Sequence, residues 1–228
     1  MNEESSLYSE APAFSTNVSR GSSQLDQWLF QSITRYIKGK VLEVGSDCGN
    51  ISALFSLNGI ALRISDPAGH QCETLQKRFA GDLMIKGIHR INLAHEGFAT
   101  EYAPFLERFD TLVSLSSTKF NFSDPAIWHN AKQLLRERGR LIILLPAPAV
   151  PYQSSADGLE EWYRWTRHHI SKWLGKDGEM ITIQSFGIAD IPRSAETGST
   201  IAVPFFQARE ETSFYQTGLY VIVAARKL

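Results

Sequence analysis

The sequence predicts an α/β protein, because short runs with strand character alternate with segments of helical spacing along the chain. Two observations carry this prediction. The continuous apolar run RLIILL at 140–145 is typical of a strand at the centre of a parallel sheet. Glycines and prolines also punctuate the chain where one element should give way to the next. Such alternation predicts parallel strands joined by right-handed crossovers, with helices on both faces.

In the first half, Leu25, Leu29 and Ile33 recur at helical spacing, and Gly39 is expected to end that helix. Asn50 is the expected N-cap of a second helix, which Asn58-Gly59 should stop. Four further elements are expected here. They are strands at Lys40–Val44 and Ile60–Ser65, a helix at Gly69–Phe79 and a weaker strand at Ile88–Leu93.

The second half is more regular. Asp124 and Pro125 predict a helix start, and Gly139 is the expected end of that helix. Thr166 should cap a later helix that ends at Gly175. Four runs predict strands: Asp110–Leu115, Arg140–Leu145, Met180–Phe186 and Leu219–Ala225.

Composition excludes several classes of protein. With 228 residues, the chain suits one large domain. Two cysteines cannot form a disulfide scaffold, and no cysteine or histidine spacing suggests a metal site. A net charge of −1, from 23 basic and 24 acidic residues, argues against a nucleic-acid partner. Since no apolar run approaches the length of a membrane span or resembles a signal peptide, a cytoplasmic location is expected.

The domain organisation predicted from the sequence is a tail followed by one domain. Residues 1–23 are rich in serine and form either a mobile tail or a segment that orders over a binding site. The second reading arises because Tyr8 and Phe14 are unusual in a pure linker. Residues 24–228 contain no internal repeat and no obvious linker, and are expected to form a single domain.

A candidate site follows the first predicted strand, where VLEVGSDCGN spans residues 41–50. Gly45 and Gly49 lie in a strand-to-helix turn, where glycine lets a backbone approach a ligand. Asp66 ends the second strand, 23 positions after Glu43, where an acidic residue can hold a ribose diol. Neither a Walker loop nor the G-x-G-x-x-G fingerprint is present.

The loop resembles motif I of class I S-adenosylmethionine-dependent methyltransferases, E-x-G-x-G-x-G. Glu43, Gly45 and Gly49 match this motif, and Asp47 replaces the middle glycine. Several later segments resemble a bacterial group that methylates small molecules: 27–45, 108–113, 134–147, 152–166 and the closing GLYVIVAARKL. The resemblance implies a Rossmann-like sheet of seven strands with the last strand antiparallel, and a lid or acceptor-binding insertion at 147–166.

By this resemblance, S-adenosylmethionine would be bound at the first four strand ends. Asp66 would accept from the ribose hydroxyls, and Asn92 would meet the adenine amino group. An inward-pointing Asp47 would repel the carboxylate of the cofactor by roughly 3 kcal/mol at 5 Å and an effective dielectric of 20, but not if it faced solvent or paired with the ammonium group. The full set of expected cofactor contacts is Glu43, Gly45, Ser46, Asp47, Gly49, Asp66, Asn92, Ser114 and Leu115.

The acceptor molecule is expected near the insertion. Glu161 is the candidate general base, although a solvated surface carboxylate is the alternative. Tyr152, Trp162 and Tyr163 are the candidate substrate contacts, with covering of the sheet edge as the alternative for the aromatic residues of this segment. The family's Glu-His after the fourth strand and its Gly-His before the aromatic stretch are absent here.

Two functions remain open at this point. The first is methyl transfer from S-adenosylmethionine to a small-molecule acceptor, in secondary metabolism or glycan modification. The alternative is a catalytically degenerate subunit that binds and supports an active methyltransferase, which Asp47 and the missing Glu-His motivate. A homodimer or a heteromer with another methyltransferase is compatible with either function.

Overall fold

The structure is a computed structural model that describes residues 24–115, 120, 124–146, 168, 170–172, 176, 178–189, 201–204 and 219–227. Its helices are α1 (Gln24–Thr34), α2 (Asn50–Leu57), α3 (Gly69–Arg78), α4 (Phe98–Glu101) and α5 (Pro125–Leu134), with a 3₁₀ turn at Ala103–Phe105. Its strands are β1 (Val41–Val44), β2 (Leu62–Asp66), β3 (Ile85–Arg90), β4 (Phe109–Ser114), β5 (Leu135–Pro146), β6 (Gly178–Ala189), β7 (Ile201–Pro204) and β8 (Leu219–Lys227).

The strands form one sheet in the order β3-β2-β1-β4-β5-β8-β6-β7. The first five strands in this order are all parallel to their neighbours. The strand order reverses between β1 and β4, so crossovers leave in opposite directions from these two strands. This confirms the predicted Rossmann-like α/β architecture, in which the ligand crevice lies at the carboxyl ends of the strands near the reversal.

The remaining strands complete the other half of the sheet. β8 pairs antiparallel with β5 on one side and with β6 on the other, and β7 pairs antiparallel with the end of β6. The described sheet thus has eight strands, one more than the seven that the family resemblance implies. The additional strand is β7, a four-residue strand at the edge.

Both faces of the parallel half of the sheet, β1 to β5, are covered by apolar side chains. On β5, Leu141 and Ile143 belong to the cluster that contains the α5 side chains, whereas Ile142 and Leu144 belong to the cluster that packs under α1 and α2. This alternation is the period of two that a strand imposes. Trp128 of α5 is fully buried in the first cluster. Among the described residues, no helix has the length and apolar character that crossing a membrane requires.

Helix α5 begins as predicted and ends earlier. The Asp124 side chain accepts a hydrogen bond of 2.8 Å from the amide of Ala126, and Pro125 is the first helical residue. The prediction that Gly139 ends the helix is wrong, because β5 already begins at the fully buried Leu135. Leu135 pairs with Phe109, and the register then shifts before the regular part of the strand.

Other boundaries also differ from the predictions. The weak strand predicted at Ile88–Leu93 lies three residues earlier, at β3. The N-cap of α2 is Gly49 rather than Asn50, and no side chain caps this helix. Helix α4 and the 3₁₀ turn were not predicted, since both are too short for a clear hydrophobic period. Thr166 and the capping role predicted for it lie outside the described residues.

Candidate functional site

The loop between β1 and α2, here called the glycine loop (Gly45–Gly49), lies at the carboxyl edge of the sheet beside the end of β2. The amides of Gly45 and Ser46 both donate to the carbonyl of Ser65, each at 2.9 Å. Three loop residues have left-handed backbone conformations, with φ of 76° at Gly45, 49° at Asp47 and 80° at Gly49. Asp47 therefore occupies a conformation in which glycine, or aspartate and asparagine, are tolerated best.

Gly49 is required by packing as well as by its backbone conformation. A Cβ atom at this position would lie 2.6 Å from the Phe79 ring and 2.8 Å from a methyl carbon of Leu75. These two side chains belong to α3 and its C-cap. Glycine thus allows α3 to pack directly against the start of α2, which holds the loop at a fixed position relative to β2.

Asp66 ends β2 and faces the glycine loop. One carboxylate oxygen accepts a hydrogen bond of 3.1 Å from the amide of Asp47, and the other accepts one of 2.9 Å from the amide of Ala68. The residue is fully buried. The two backbone donors orient the carboxylate, which is an acceptor-only group suited to a pair of hydroxyls.

The side chain of Asp47 is held by α3. Its Oδ1 accepts a hydrogen bond of 3.0 Å from the side-chain amide of Gln71, and the residue is half-buried. The predicted alternatives for Asp47 were an inward-pointing carboxylate, a solvent-facing one and one paired with a ligand's ammonium group. The structure gives one of its oxygens a protein partner on α3, which fixes the orientation of the carboxylate.

Glu43 lies in β1 and is 3% exposed. Burial raises its pKa to about 7, and a hydrogen bond of 2.5 Å from the Ser52 hydroxyl opposes that rise. The Ser46 hydroxyl is close enough to lower the pKa of Glu43 further, but it makes no hydrogen bond of normal geometry. Glu43 therefore anchors α2 to β1 and carries a proton over much of the acidic range.

Two buried hydroxyls at this edge lack hydrogen-bond partners. These are the Oγ atoms of Ser46, in the glycine loop, and Ser114, the last residue of β4. Because β1 and β4 are neighbours, both hydroxyls lie at the same part of the edge, next to the buried Leu115. Buried hydroxyls are almost always paired, so an unpaired set at a strand end is a feature of sites that bind polar ligands.

Asn92 follows the end of β3. Its side-chain oxygen accepts a hydrogen bond of 3.0 Å from the backbone amide of Ala94. Its backbone amide donates a hydrogen bond of 3.0 Å to the hydroxyl of Tyr102. The amide of the preceding residue, Ile91, donates to the carbonyl of Asp66 at 3.3 Å. This brings Asn92 to the same edge as Asp66 and commits its side-chain oxygen to a local turn.

Two residues of α3 were missed by the sequence analysis. Gln71 holds Asp47, and the Arg78 guanidinium donates to the carbonyl of Cys48 and, at 2.9 Å, to the side-chain oxygen of Asn50. Both residues lie on one helix face with Leu75, at positions i, i+4 and i+7. That spacing is the signal in the sequence that assigns this face of α3 to the glycine loop.

Cys48 lies within the glycine loop and is half-buried. Burial, with the nearby charge of Asp47, raises the pKa of its thiol. The thiol is thus in its less nucleophilic form at neutral pH, and the residue acts as a small packed side chain.

The predicted acceptor-binding residues lie outside the described residues. These are Glu161, Tyr152, Trp162 and Tyr163, together with the insertion at 147–166 and the tail at 1–23. Their roles stay predictions. Among the residues that the structure describes, no three His, Cys, Asp or Glu side chains come together as a metal site would require.

No protein-family model matches this chain, and no curated protein sequence matches it. Several solved structures, however, are similar to this chain. One is geranyl diphosphate C-methyltransferase from Streptomyces coelicolor A3(2), solved with Mg²⁺, geranyl diphosphate and S-adenosyl-L-homocysteine. It is 12% identical, the match covers 90% of this chain and 80% of that one, and the TM-score is 0.57.

Two further structures are similar. An S-adenosylmethionine-dependent methyltransferase from Thermotoga maritima is 13% identical over 91% of this chain and 90% of that chain, with a TM-score of 0.51. A protein from echinomycin biosynthesis, studied for the conversion of a disulfide bond into a thioacetal group, is 15% identical over 87% and 80%, with a TM-score of 0.54. The resemblance to class I methyltransferases is confirmed as a likeness of fold.

Proposed function

We propose that this chain binds S-adenosylmethionine at the carboxyl edge of β1, β2 and β4 and transfers its methyl group to a small-molecule acceptor. The observation that carries the proposal is the carboxylate of Asp66, oriented by two backbone amides beside a loop with three left-handed residues. The fold places this feature at the topological switch point, where such sheets bind their ligands.

The residues present fit the proposed cofactor. Asp66 would accept from the two ribose hydroxyls, which a buried carboxylate binds more strongly than a neutral acceptor does. The unpaired hydroxyls of Ser46 and Ser114 offer donors and acceptors for the polar end of the same ligand. Because Asp66 is fully buried, the binding of a ribose there requires the surrounding chain to open.

When bound, S-adenosylmethionine supplies a methyl group already activated on a sulfonium. The protein therefore has to bind, to align the acceptor and to exclude water, which provides a large part of such a rate enhancement. Leu115, buried beside Ser114, would form an apolar part of the wall. A general base is needed only for acceptors that must lose a proton, and Glu161 remains the candidate for that role.

The finer parts of the proposal concern the acceptor. Tyr152, Trp162 and Tyr163 would contact it, and residues 1–23 would close over it. The near-zero net charge favours a small acceptor over a nucleic acid. We place the reaction in the cytoplasm, in secondary metabolism or glycan modification, with either a second copy or another methyltransferase as the partner.

Isothermal titration with S-adenosylhomocysteine tests the cofactor site. The wild-type chain should bind, and Asp66→Asn should weaken binding at least about tenfold, since it removes a charged acceptor worth about 1.5–3 kcal/mol per hydrogen bond. Asp82→Asn is the matched control. Asp82 lies in the loop before β3, at the other edge of the sheet, and its carboxylate accepts a hydrogen bond from the Ser56 hydroxyl. The absence of heat from the wild-type chain at millimolar ligand would refute the proposal.

A methyl-transfer assay separates the two functions. Binding of S-adenosylhomocysteine with turnover by the isolated chain supports the enzyme. Binding without turnover, together with activation of a co-purifying methyltransferase, supports the degenerate subunit instead. The hydrogen bond from Gln71 favours the enzyme, because it fixes the Asp47 carboxylate on α3, whereas the degenerate reading requires that carboxylate to turn toward the cofactor.

A further inference from the structure

A cavity lies at the opposite edge of the sheet from the glycine loop. It has a volume of about 490 Å³ and is lined by the first residues of three parallel strands, Val41, Leu62 and Phe109, and by Lys86 near the start of β3. Cavities of this size hold small organic ligands. Because the parallel strands all begin at this edge, the cavity is separated from the proposed cofactor site by the length of the strands.

The charge of this cavity is one-sided. Its lining includes four cationic residues and no acidic residue: Lys40, Arg63, Lys86 and Arg108. The whole chain has a net charge of −1, so this is a local concentration of positive charge. A cleft lined by one sign of charge focuses the field and attracts ligands of the opposite sign.

Two of these cations are held by neutral groups. Arg63 lies with Nη1 3.0 Å from Nε2 of His89, and burial together with the Arg63 charge lowers the pKa of His89. His89 is thus a neutral acceptor at physiological pH. Lys86 donates 2.8 Å to the backbone carbonyl of Leu83. Neither contact neutralises the positive charge of the side chain that makes it.

Two carboxylates are close to the lining in sequence, and that of Asp110 lies against Gly39 of the lining itself. Asp110 accepts 2.8 Å from the backbone amide of Lys40 and lies 3.6 Å from Arg136. Glu107 pairs with Lys227 at 3.5 Å. Among the described residues, both of these ion pairs are made by cations outside the lining, and none of the four lining cations takes part in them.

The cavity also has an apolar wall. Pro104 and the half-buried Phe105 line it, and the Phe105 ring stands edge-to-face on His89 with 4.7 Å between ring centroids. Gly87 leaves room for this arrangement, since a Cβ there would lie 2.6 Å from Nη1 of Arg63. The wall suits a flat, apolar group attached to the anion.

We propose that this cavity is a second ligand site, which binds a small organic phosphate with a planar apolar body. The two arginines present the planar fork that matches phosphate oxygens, and the two lysines add point charges. The proposal does not depend on the proposed methyl-transfer function, because it uses none of the residues at the glycine loop.

Phenyl phosphate is the probe, with phenol and inorganic phosphate as its two halves. Isothermal titration of the full chain should give a smaller Kd for phenyl phosphate than for either half. The double variant Lys86→Gln/Arg108→Gln should raise that Kd about tenfold or more, which is about 1.4 kcal/mol. The matched control Arg35→Gln/Lys77→Gln removes one arginine and one lysine from exposed positions outside the cavity lining, and should leave the Kd within about twofold.

Several results would overturn the proposal. They are the absence of binding by phenyl phosphate at millimolar concentration, equal binding by phenol, and equal losses in the cavity and control variants. Competition by saturating S-adenosylhomocysteine would place the phosphate at the other edge and would also refute it. Tighter binding of a duplex oligonucleotide than of phenyl phosphate, lost in the cavity variant, would show a nucleic-acid surface instead.

Discussion

Replacing Glu43 with glutamine tests whether this buried side chain makes the stability of the fold depend on pH. Burial raises the pKa of Glu43 from its ordinary 4.5 to about 7. Between these pH values the folded chain keeps a proton on Glu43 that the unfolded chain has released. The free energy of unfolding therefore falls as the pH rises through this window, by about 3 kcal/mol in total.

Glutamine has nearly the same shape as protonated glutamate, and its amide oxygen can still accept from Ser52. Glu43→Gln should thus have close to wild-type stability at pH 5 and exceed it by about 2–3 kcal/mol at pH 8. Urea denaturation at pH 5, 6, 7 and 8 measures this difference. Subtracting the two curves cancels the titration of groups that both proteins share.

Glu73→Gln is the control, because Glu73 is an exposed residue of α3. Its stability difference from the wild type should stay within about 0.5 kcal/mol across the same range. A difference for Glu43→Gln that is flat with pH would refute the reasoning. A variant less stable at pH 8 than the wild type would show that the buried carboxylate is ionised and stabilised by its partners.

Three further predictions concern the glycine loop and α5. Gly49→Ala should lower the free energy of unfolding, measured in urea, by about 3 kcal/mol, because it combines a left-handed backbone with a collision against Phe79. Gly59→Ala is the control: its φ is 70° but no atom lies within 4 Å of the added Cβ, so the loss should be only about 1 kcal/mol. Similar losses in the two variants would contradict this. Asp47→Gly should change the Kd for S-adenosylhomocysteine by less than about threefold in titration, since Gln71 already holds the carboxylate; a gain of about a hundredfold would show that the carboxylate faces the ligand. Asp124→Ala should cost about 1 kcal/mol by thermal or urea unfolding and Asp124→Asn almost nothing, and equal losses would mean that its hydrogen bond to Ala126 does not cap α5.

The parallel half of the fold could be predicted because its pattern is local. Strands β1, β2, β4 and the regular part of β5 are short apolar runs bounded by glycine, proline or aspartate, and these signals need no tertiary information. The end of α5 could not be predicted in this way. Residues 135–139 contain good helix formers, and the pairing of Leu135 with Phe109 overrides that propensity.

In the candidate site, too, the features set by local sequence could be predicted and those set by tertiary packing could not. The order of Glu43, the glycine loop and Asp66 along the chain was sufficient to place them at one edge. The partner of Asp47 was not predicted, because Gln71 lies 24 positions away and reaches the loop only when α3 packs against it. The raised pKa of Glu43 depends likewise on complete burial, which the sequence of a four-residue strand does not specify.

The position of β8 has a consequence for the order in which the chain assembles. β6 and β7 precede β8 in the sequence, yet within the described sheet β6 joins the parallel strands only through β8. During synthesis, β1 to β5 can therefore pair with one another before β8 is made. Until then β6 and β7 have only each other as strand partners, and a two-stranded pair is marginally stable by itself. Completion of the sheet depends on a strand inserted between two that were made earlier, and such non-local pairing is slow. We expect folding in two stages, with the edge that carries the glycine loop formed first and the outer strands added when β8 docks.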